Sequence, residues 1–259
     1  MRSVYLLEAN NITKQFANGA GPPQPILDSV SVQFSKGEFT AIMGPSGSGK
    51  STLLYALSSM DELTSGTVRF DGLSYNGQTE RQLADLRLKK MGFIFQHMHL
   101  LKNLSILDNI LLPAYRAKTG PRGELNTRAA NLMRRAGIEG LEQREITQVS
   151  GGQLQRAAIC RALINRPAVV FGDEPTGALN SESADQIMSI IQDIHLSGTT
   201  VILVTHDTRV AARAERVLYL LDGRLAGELR LGLYAGESAQ REQQLSRWLA
   251  CLASDIKNK

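Results

Sequence analysis

A β-prone run that passes directly into a glycine-rich turn, and from there into a helix opening on Lys-Ser, constrains this chain most. Glu38–Met43 (EFTAIM) is followed at once by Gly44-Pro45-Ser46-Gly47-Ser48-Gly49-Lys50-Ser51, and Lys50–Met60 is compatible with a helix. The eight residues fit G-x-x-x-x-G-K-[ST] in the strand–loop–helix setting that gives the pattern its meaning. Glycines let the backbone curl so that successive N–H groups point inward at phosphate oxygens. The helix N-terminus adds partial positive charge. Lys50 can reach the terminal phosphates of a nucleotide, and the Ser51 hydroxyl can ligate Mg²⁺. The candidate nucleotide-binding residues are therefore Gly44, Pro45, Ser46, Gly47, Ser48, Gly49, Lys50, Ser51 and Thr52.

Composition removes several other classes. A chain of 259 residues is one large domain, or a core with a smaller subdomain, and is long enough to fold without disulfide or metal staples. With 42% hydrophobic and 21% charged residues it is ordinary globular material. The net charge of +4 is a mild excess, well short of a polybasic signal. No apolar run approaches the length of about 18 residues that a membrane span needs. Met1–Asn10 lacks the cleavage site of a secretion signal. Cys160 and Cys251 have no metal-ligand spacing and read as reduced thiols of a cytosolic protein.

Strand-like and helix-like periods alternate along most of the chain, which implies an α/β layered core. Gly92–Phe95 and Ala168–Gly172 read as strands, Thr199–Val204 as a β-branched strand, and Ser181–Leu196 as a helix. Gln78–Lys90 reads as an exposed helix. Between Ser105 and Arg166 strand signals nearly vanish, and Ile106–Ala117, Asn126–Ala136 and Gly152–Asn165 predict three helices inserted into the core. Thr119–Gly123 between the first two is rich in breakers and is expected to be a loop. Ala17–Pro25 reads as a surface loop. Asp222-Gly223 predicts a tight hairpin between Val217–Leu221 and Leu225–Leu231. A last helix after Glu237 carries Leu245, Trp248, Leu249 and Leu252 as one stripe, expected to pack back on the core.

Ala168–Gly172 delivers two acids to its far end. A phosphate-binding loop needs a carboxylate for its metal at the tip of a neighbouring strand, and Asp173 stands there, placed to hold Mg²⁺ through the ion's water shell. Glu174, one residue beyond, can orient or deprotonate an attacking water. Pro175 ends the strand.

With Val149-Ser150-Gly151-Gly152-Gln153 the sequence resembles the ATP-binding-cassette family, whose signature motif this stretch is similar to; Leu154-Gln155-Arg156 continues it. Two glycines and a serine at a helix N-terminus make a second anion site. The resemblance implies a P-loop NTPase fold with a RecA-like core, an inserted helical subdomain over about residues 97–166 and an N-terminal antiparallel β subdomain. The cassette would span 1–231, with 232–259 as a helical extension. It also implies a head-to-tail dimer in which Ser150, Gly151, Gly152 and Gln153 of one copy reach, in trans, the nucleotide on the P-loop of the other. Gln96 resembles the glutamine that links Mg²⁺ and the attacking water to the helical subdomain, and His206 the switch histidine on the γ-phosphate. Phe16 occupies the place of the aromatic residue that stacks on adenine. A phenylalanine can stack but lacks the usual tyrosine hydroxyl. Two departures stand out: Val149 where leucine is usual, and Asn180, ending Gly177-Ala178-Leu179-Asn180, where aspartate is common.

A cassette without a membrane segment resembles the separate ATPase subunit of a transporter, working at the cytoplasmic face of the membrane beside an integral permease. Pro175–Asn180 and Thr205–Arg213 are similar to the macrolide-exporter and lipoprotein-releasing group; within it, Gly172-Asp173-Glu174, Ala178-Leu179-Asn180 and the tail with Trp248 most resemble ATPases of bacitracin-resistance type, which act against peptide antibiotics. Met98, Leu100, Leu101 and Leu104 are candidates either for a permease groove or for subdomain core. The alternatives are a non-transporting envelope-signalling or cell-wall-regulating cassette, or lipoprotein or macrolide transport. A nucleic-acid-associated cassette would carry a second cassette or long coiled coils, so nucleic acid is not expected as a partner. A metabolic kinase would have no use for Val149–Gln153. The positive excess then divides: Lys50 serves a nucleotide, while Arg156 and Arg161 are expected to structure the helical subdomain.

Overall fold

The computed structural model describes residues 5–16 and 24–257. The chain forms β1 (Tyr5–Phe16), β2 (Gln24–Ser35), β3 (Phe39–Met43), α1 (Lys50–Leu57), β4 (Ser65–Phe70) and β5 (Leu73–Ser74). Next come α2 (Glu80–Lys90), β6 (Met91–Phe95), α3 (Ile106–Ala117), α4 (Arg122–Arg135), α5 (Gly151–Leu163), β7 (Val169–Asp173) and α6 (Ser181–Leu196). The chain closes with β8 (Thr200–Val204), α7 (Thr208–Ala211), β9 (Arg216–Leu221), β10 (Arg224–Arg230) and α8 (Ser238–Lys257). Two compact units divide these elements: residues Met1–Gln78 with Ile202–Lys259, and residues Thr79–Val201.

The first unit holds an antiparallel sheet in the order β2-β1-β4-β5. Periodicity alone does not reveal β1. Its pairing with β2 slips between Ala9 and Ile12, where Asn11 takes φ 48°, and the bulge breaks the in–out alternation that marks a strand. β3 pairs in parallel with β9, and β9 antiparallel with β10 across the expected Asp222-Gly223 hairpin. Both turn residues have positive φ (46° and 74°), as a type I′ turn demands. Every residue of β3 is buried, and its sequence is apolar but for Thr40. Of the expected surface loop Ala17–Pro25, residues 17–23 lie outside the described residues, as do residues 1–4 of the N-terminal stretch; Gln24 and Pro25 belong to β2.

The C-terminal helix packs on this unit, as its stripe predicted. Leu245 is fully buried, Trp248 meets Tyr219 edge-on with ring centroids 6.4 Å apart, and Trp248 and Leu252 lie over Gly227 of β10, whose hydrogen leaves them the space. Arg241, 4% exposed, fastens the helix. It donates five hydrogen bonds, all to carbonyls: Nε to Ala212 (2.7 Å), Nη1 to Leu231 (3.1 Å) and Leu233 (3.0 Å), and Nη2 to Ala214 (2.6 Å) and Gly232 (3.0 Å). No other side chain offers that fork of donors. Arg241→Met is expected to lower the chain's stability by about 2–4 kcal/mol, because buried carbonyls lose their partners. In a thermal melt this is a fall of roughly 5–15 °C; an unchanged melt would show α8 to be dispensable.

In the second unit β6 and β7 pair in parallel. The three expected helices α3, α4 and α5 bury one face each in a common core of Ile106, Ile110, Leu125, Met133, Ala157 and Cys160. Burial pushes the Cys160 thiol up to about 12, so it carries no thiolate at neutral pH. The loop expected at Thr119–Gly123 is shorter than its composition suggested, and α4 begins at Arg122 with Pro121 as its N-cap residue. Proline before a first turn is pre-set for helix entry, and Gly123 is tolerated where the chain is already held. Arg156 and Arg161 do brace this unit. Arg161 donates to the carbonyls of His99 (2.7 Å) and Met98 (2.6 Å), and Arg156 to Gln186 and the Ala136 carbonyl.

Candidate active site

Gly44–Thr52, Phe16 and His206 belong to the first unit. In the loop after β3 the backbone turns where side chains would not fit. A Cβ on Gly44 would stand 2.1 Å from the Leu220 carbonyl oxygen, and one on Gly49 (φ 96°) 2.6 Å from that of Ile26. Gly49 is also the N-cap residue of α1, which has no side-chain hydrogen bond at its N-terminus and no acid in its first turn. Thr79, Ser105, Ser150, Asn180 and Asp207 each cap the helix they precede, whereas Pro121 before α4 does not, and α4 carries Glu124 in its first turn. An anion at this end of α1 would meet the positive end of the helix dipole with no capping side chain of the N-cap residue in its way. Lys50 is 8% exposed, and its Nζ donates to the Pro45 carbonyl (2.8 Å), so its ammonium is folded over the loop that would hold phosphate.

Phe16 ends β1 with 47% of its surface exposed, so it is no core residue. Lys14 lies over its ring, 4.9 Å from the centroid. The Lys14 ammonium is held there by Asp61 (2.5 Å) and the Glu62 carbonyl (2.6 Å). His206 is exposed between β8 and α7. Its turn is shaped by neighbours: the Thr205 hydroxyl accepts from Asp207 N (3.0 Å), and the Asp207 carboxylate accepts from Arg209 N (2.8 Å).

Gln96, Asp173, Glu174 and Ser150–Gln153 belong to the second unit. Phe95 and Asp173 end β6 and β7 in register, which sets Gln96 and Glu174 side by side just past the two strands. Glu174 adopts φ 47°, a left-handed conformation uncommon for a residue with a side chain. A Cβ on Gly177 would lie 3.0 Å from Gln96 Nε2 and 3.3 Å from Glu174 Oε2, so Gln96, Glu174 and the Gly177 loop form one cluster. Gln155, which continues the Val149–Gln153 stretch, ties this cluster together. It is 1% exposed, and its Nε2 donates to the carbonyls of Phe95 (3.1 Å) and Pro175 (2.9 Å), the residues flanking Gln96 and Glu174. A further sequence signal for it is a polar side chain on the buried face of α5.

The Ser150 segment opens α5 with a full capping box: Ser150 Oγ accepts from Gln153 N (3.3 Å), and Gln153 Oε1 accepts from Ser150 N (2.9 Å). A serine hydroxyl that accepts such a bond still has a proton to donate. Asn180 caps α6, its Oδ1 accepting from Ser183 N (2.9 Å), a role that aspartate would fill equally. Of the four apolar residues after Gln96, Leu100 packs on the helical core and Leu101 is 46% exposed.

A strand–loop–helix phosphate cradle, two acids at the end of β7 and a glycine-serine helix start are now all in place. The family model described as "ABC transporter" matches residues 27–177. The chain belongs to the ABC transporter family. It is 44% identical over 224 residues to the lipoprotein-releasing system ATP-binding protein LolD 2 of Rhodospirillum rubrum, covering 86% of this chain and 96% of that protein. It is 41% identical over 221 residues to the macrolide export ATP-binding/permease protein MacB of Mannheimia succiniciproducens, covering 85% of this chain. This chain spans 34% of that longer protein's length. Among solved structures, the ADP- and Pi-bound, post-hydrolysis dimer of the ATP-binding cassette MJ0796 matches with a TM-score of 0.81 at 37% identity, over 88% of this chain and 100% of that one. The α/β P-loop cassette fold and its character as an ABC ATPase domain that binds ATP follow. Among the described residues no helix is long and apolar enough to cross a membrane.

Proposed function

We propose that the chain is the ATP-hydrolysing subunit of an export system, working as a head-to-tail pair of copies with ATP sandwiched between the P-loop of one and Val149–Gln153 of the other. The observation that carries the nucleotide reading is the N-terminus of α1, with no side-chain cap, no acid in its first turn and Lys50 as its first residue. The γ-phosphate is held by Lys50 and the Gly44–Thr52 amides, by His206 in the same copy, and by the Ser150 hydroxyl and Gly152 amide of the partner copy. The donors suit Mg²⁺: the Ser51 hydroxyl of the first unit, and the Gln96 side-chain oxygen and Asp173 carboxylate of the second, are the hard oxygen ligands that would hold it. When bound, the ion neutralises charge on the phosphates. Glu174 accepts a proton from the attacking water while Gln96 orients it, and Gln155 holds both loops in place.

Phe16 stacks on adenine. Lys14, over its ring, both fixes the ring and strengthens the stack, a contribution of about 1 kcal/mol. Lys14→Met should therefore raise KM for ATP roughly 3–5-fold at unchanged kcat, with Lys14→Arg restoring it. A fall in kcat alone would remove Lys14 from nucleotide binding.

The partner is an integral membrane permease of the mechanotransmission type, met at the cytoplasmic face through the exposed Leu101 surface, and the cargo class is antimicrobial peptides. The similarity to a lipoprotein-releasing system ATP-binding protein, over 96% of that protein's length, and to macrolide export ATP-binding/permease proteins supports work with a permease. The test is affinity capture of the tagged chain from solubilised membranes, paired with peptide-antibiotic susceptibility of cells lacking it. Copurification of one multi-span protein, together with lost resistance that a Glu174→Gln copy fails to restore, is the expected result. Bound nucleic acid and no membrane protein would overturn the reading.

A further inference from the structure

A second cavity of about 730 Å³ lies wholly within the Thr79–Val201 unit, walled by α4, the end of α5 and the segments that lead into β7 and β8. Three arginines line it, Arg128, Arg135 and Arg166, against one acid, Glu124. Arg128 is half-buried while Arg135 and Arg166 are exposed, so the cavity gathers positive charge at its mouth, where a bound anion would be favoured. Arg128 is already positioned: its Nη1 donates to the Ile164 carbonyl (2.9 Å), while its Nε is buried without a partner. Among the described residues the side chains of Arg135 and Arg166 have neither an ion pair nor a hydrogen bond, whereas their neighbour Arg134 pairs with Glu139 (3.3 Å). Arg166 is presented from a backbone at φ 53°, a conformation that side chains rarely adopt. Leu132, Pro167 and Ile194 give the same cavity an apolar wall.

The geometry points to a binding site for a small amphipathic anion, an oxyanion head on an apolar body, lined by none of the candidate nucleotide-site residues. Guanidinium forks match carboxylate and phosphate oxygens with paired hydrogen bonds. The volume suits a ligand of drug-like size. Nothing in the ATPase chemistry uses these arginines. A ligand seated there joins α4 to the turns that precede β7 and β8, so it stiffens the unit that carries Gln96 and Glu174.

The probe is 8-anilinonaphthalene sulfonate, titrated by fluorescence against the full chain with the nucleotide site saturated by Mg·ADP. Wild type should show one saturable site, and Arg135→Ala/Arg166→Ala should bind the dye at least 10-fold more weakly while keeping its ATPase rate. Octanoate and octyl phosphate serve as competitors, with octanol as the uncharged control. Displacement by either anion but not by octanol supports the site, and the stronger of the two identifies the preferred head. Equal dye binding by wild type and the double variant, displacement by octanol as strong as by octanoate, or displacement by neither anion overturns it.

Discussion

The Glu174→Gln chain is expected to bind ATP as tightly as the wild type and to lose at least about 100-fold of its turnover. General-base assistance is worth about 10²–10⁴ in rate. Glutamine has nearly the same shape as glutamate but cannot take up the proton of water. The backbone argues the same way: Glu174 sits at φ 47°, a conformation that costs about 1–2 kcal/mol, and such strain concentrates where a side chain must be aimed. Its carboxylate shares a cluster with Gln96 around Gly177, so the change is confined to the reacting group. With hydrolysis blocked, ATP should accumulate in a closed pair of copies, visible as a dimer by size-exclusion chromatography with light scattering. Substantial residual ATPase in this variant would move the base elsewhere.

For Lys50→Ala the expected loss falls on binding. Its ammonium is almost wholly buried against the loop, where it donates to the Pro45 carbonyl. Phosphate oxygens are stronger acceptors than that carbonyl, and charge-assisted bonds in a dry cradle are worth roughly twice neutral ones. Removing that ammonium should weaken ATP at least about 100-fold, a change of about 2.7 kcal/mol. Calorimetric titration measures this directly. A thermal melt provides a second reading: ATP at 100 times its Kd stabilises the wild type by about 2.7 kcal/mol, and the same concentration should leave the variant's melt almost unmoved. Retention of that shift would mean that the amides of α1 hold the nucleotide without Lys50.

The legible parts of the fold are those whose signal is local. The bounds of α3 and α6 match their apolar periods residue for residue, Ile106–Ala117 and Ser181–Leu196. The Asp222-Gly223 hairpin needed only two residues. β1 was not legible from periodicity because a bulge at Asn11 interrupts its alternation, and the start of α4 was masked by residues typical of loops. Ser150 and Asn180 illustrate another limit. Each has a family role by resemblance, yet each also caps its own helix, and one serine or asparagine can meet both demands.

By itself the sequence determined the phosphate cradle, the acids at the end of β7 and the alternation of strand and helix. Those features depend on neighbouring residues and on short periods along the chain. Only the tertiary structure decided what Gln155 and Arg241 do. Gln155 reaches carbonyls 60 and 20 residues away, and Arg241 gathers carbonyls 8 to 29 residues distant. The three arginines of the second cavity are likewise brought together from α4 and the turn before β7. A buried hydrogen bond is chosen by which backbone groups remain unpaired after the chain has folded, and no local pattern of residues encodes that remainder.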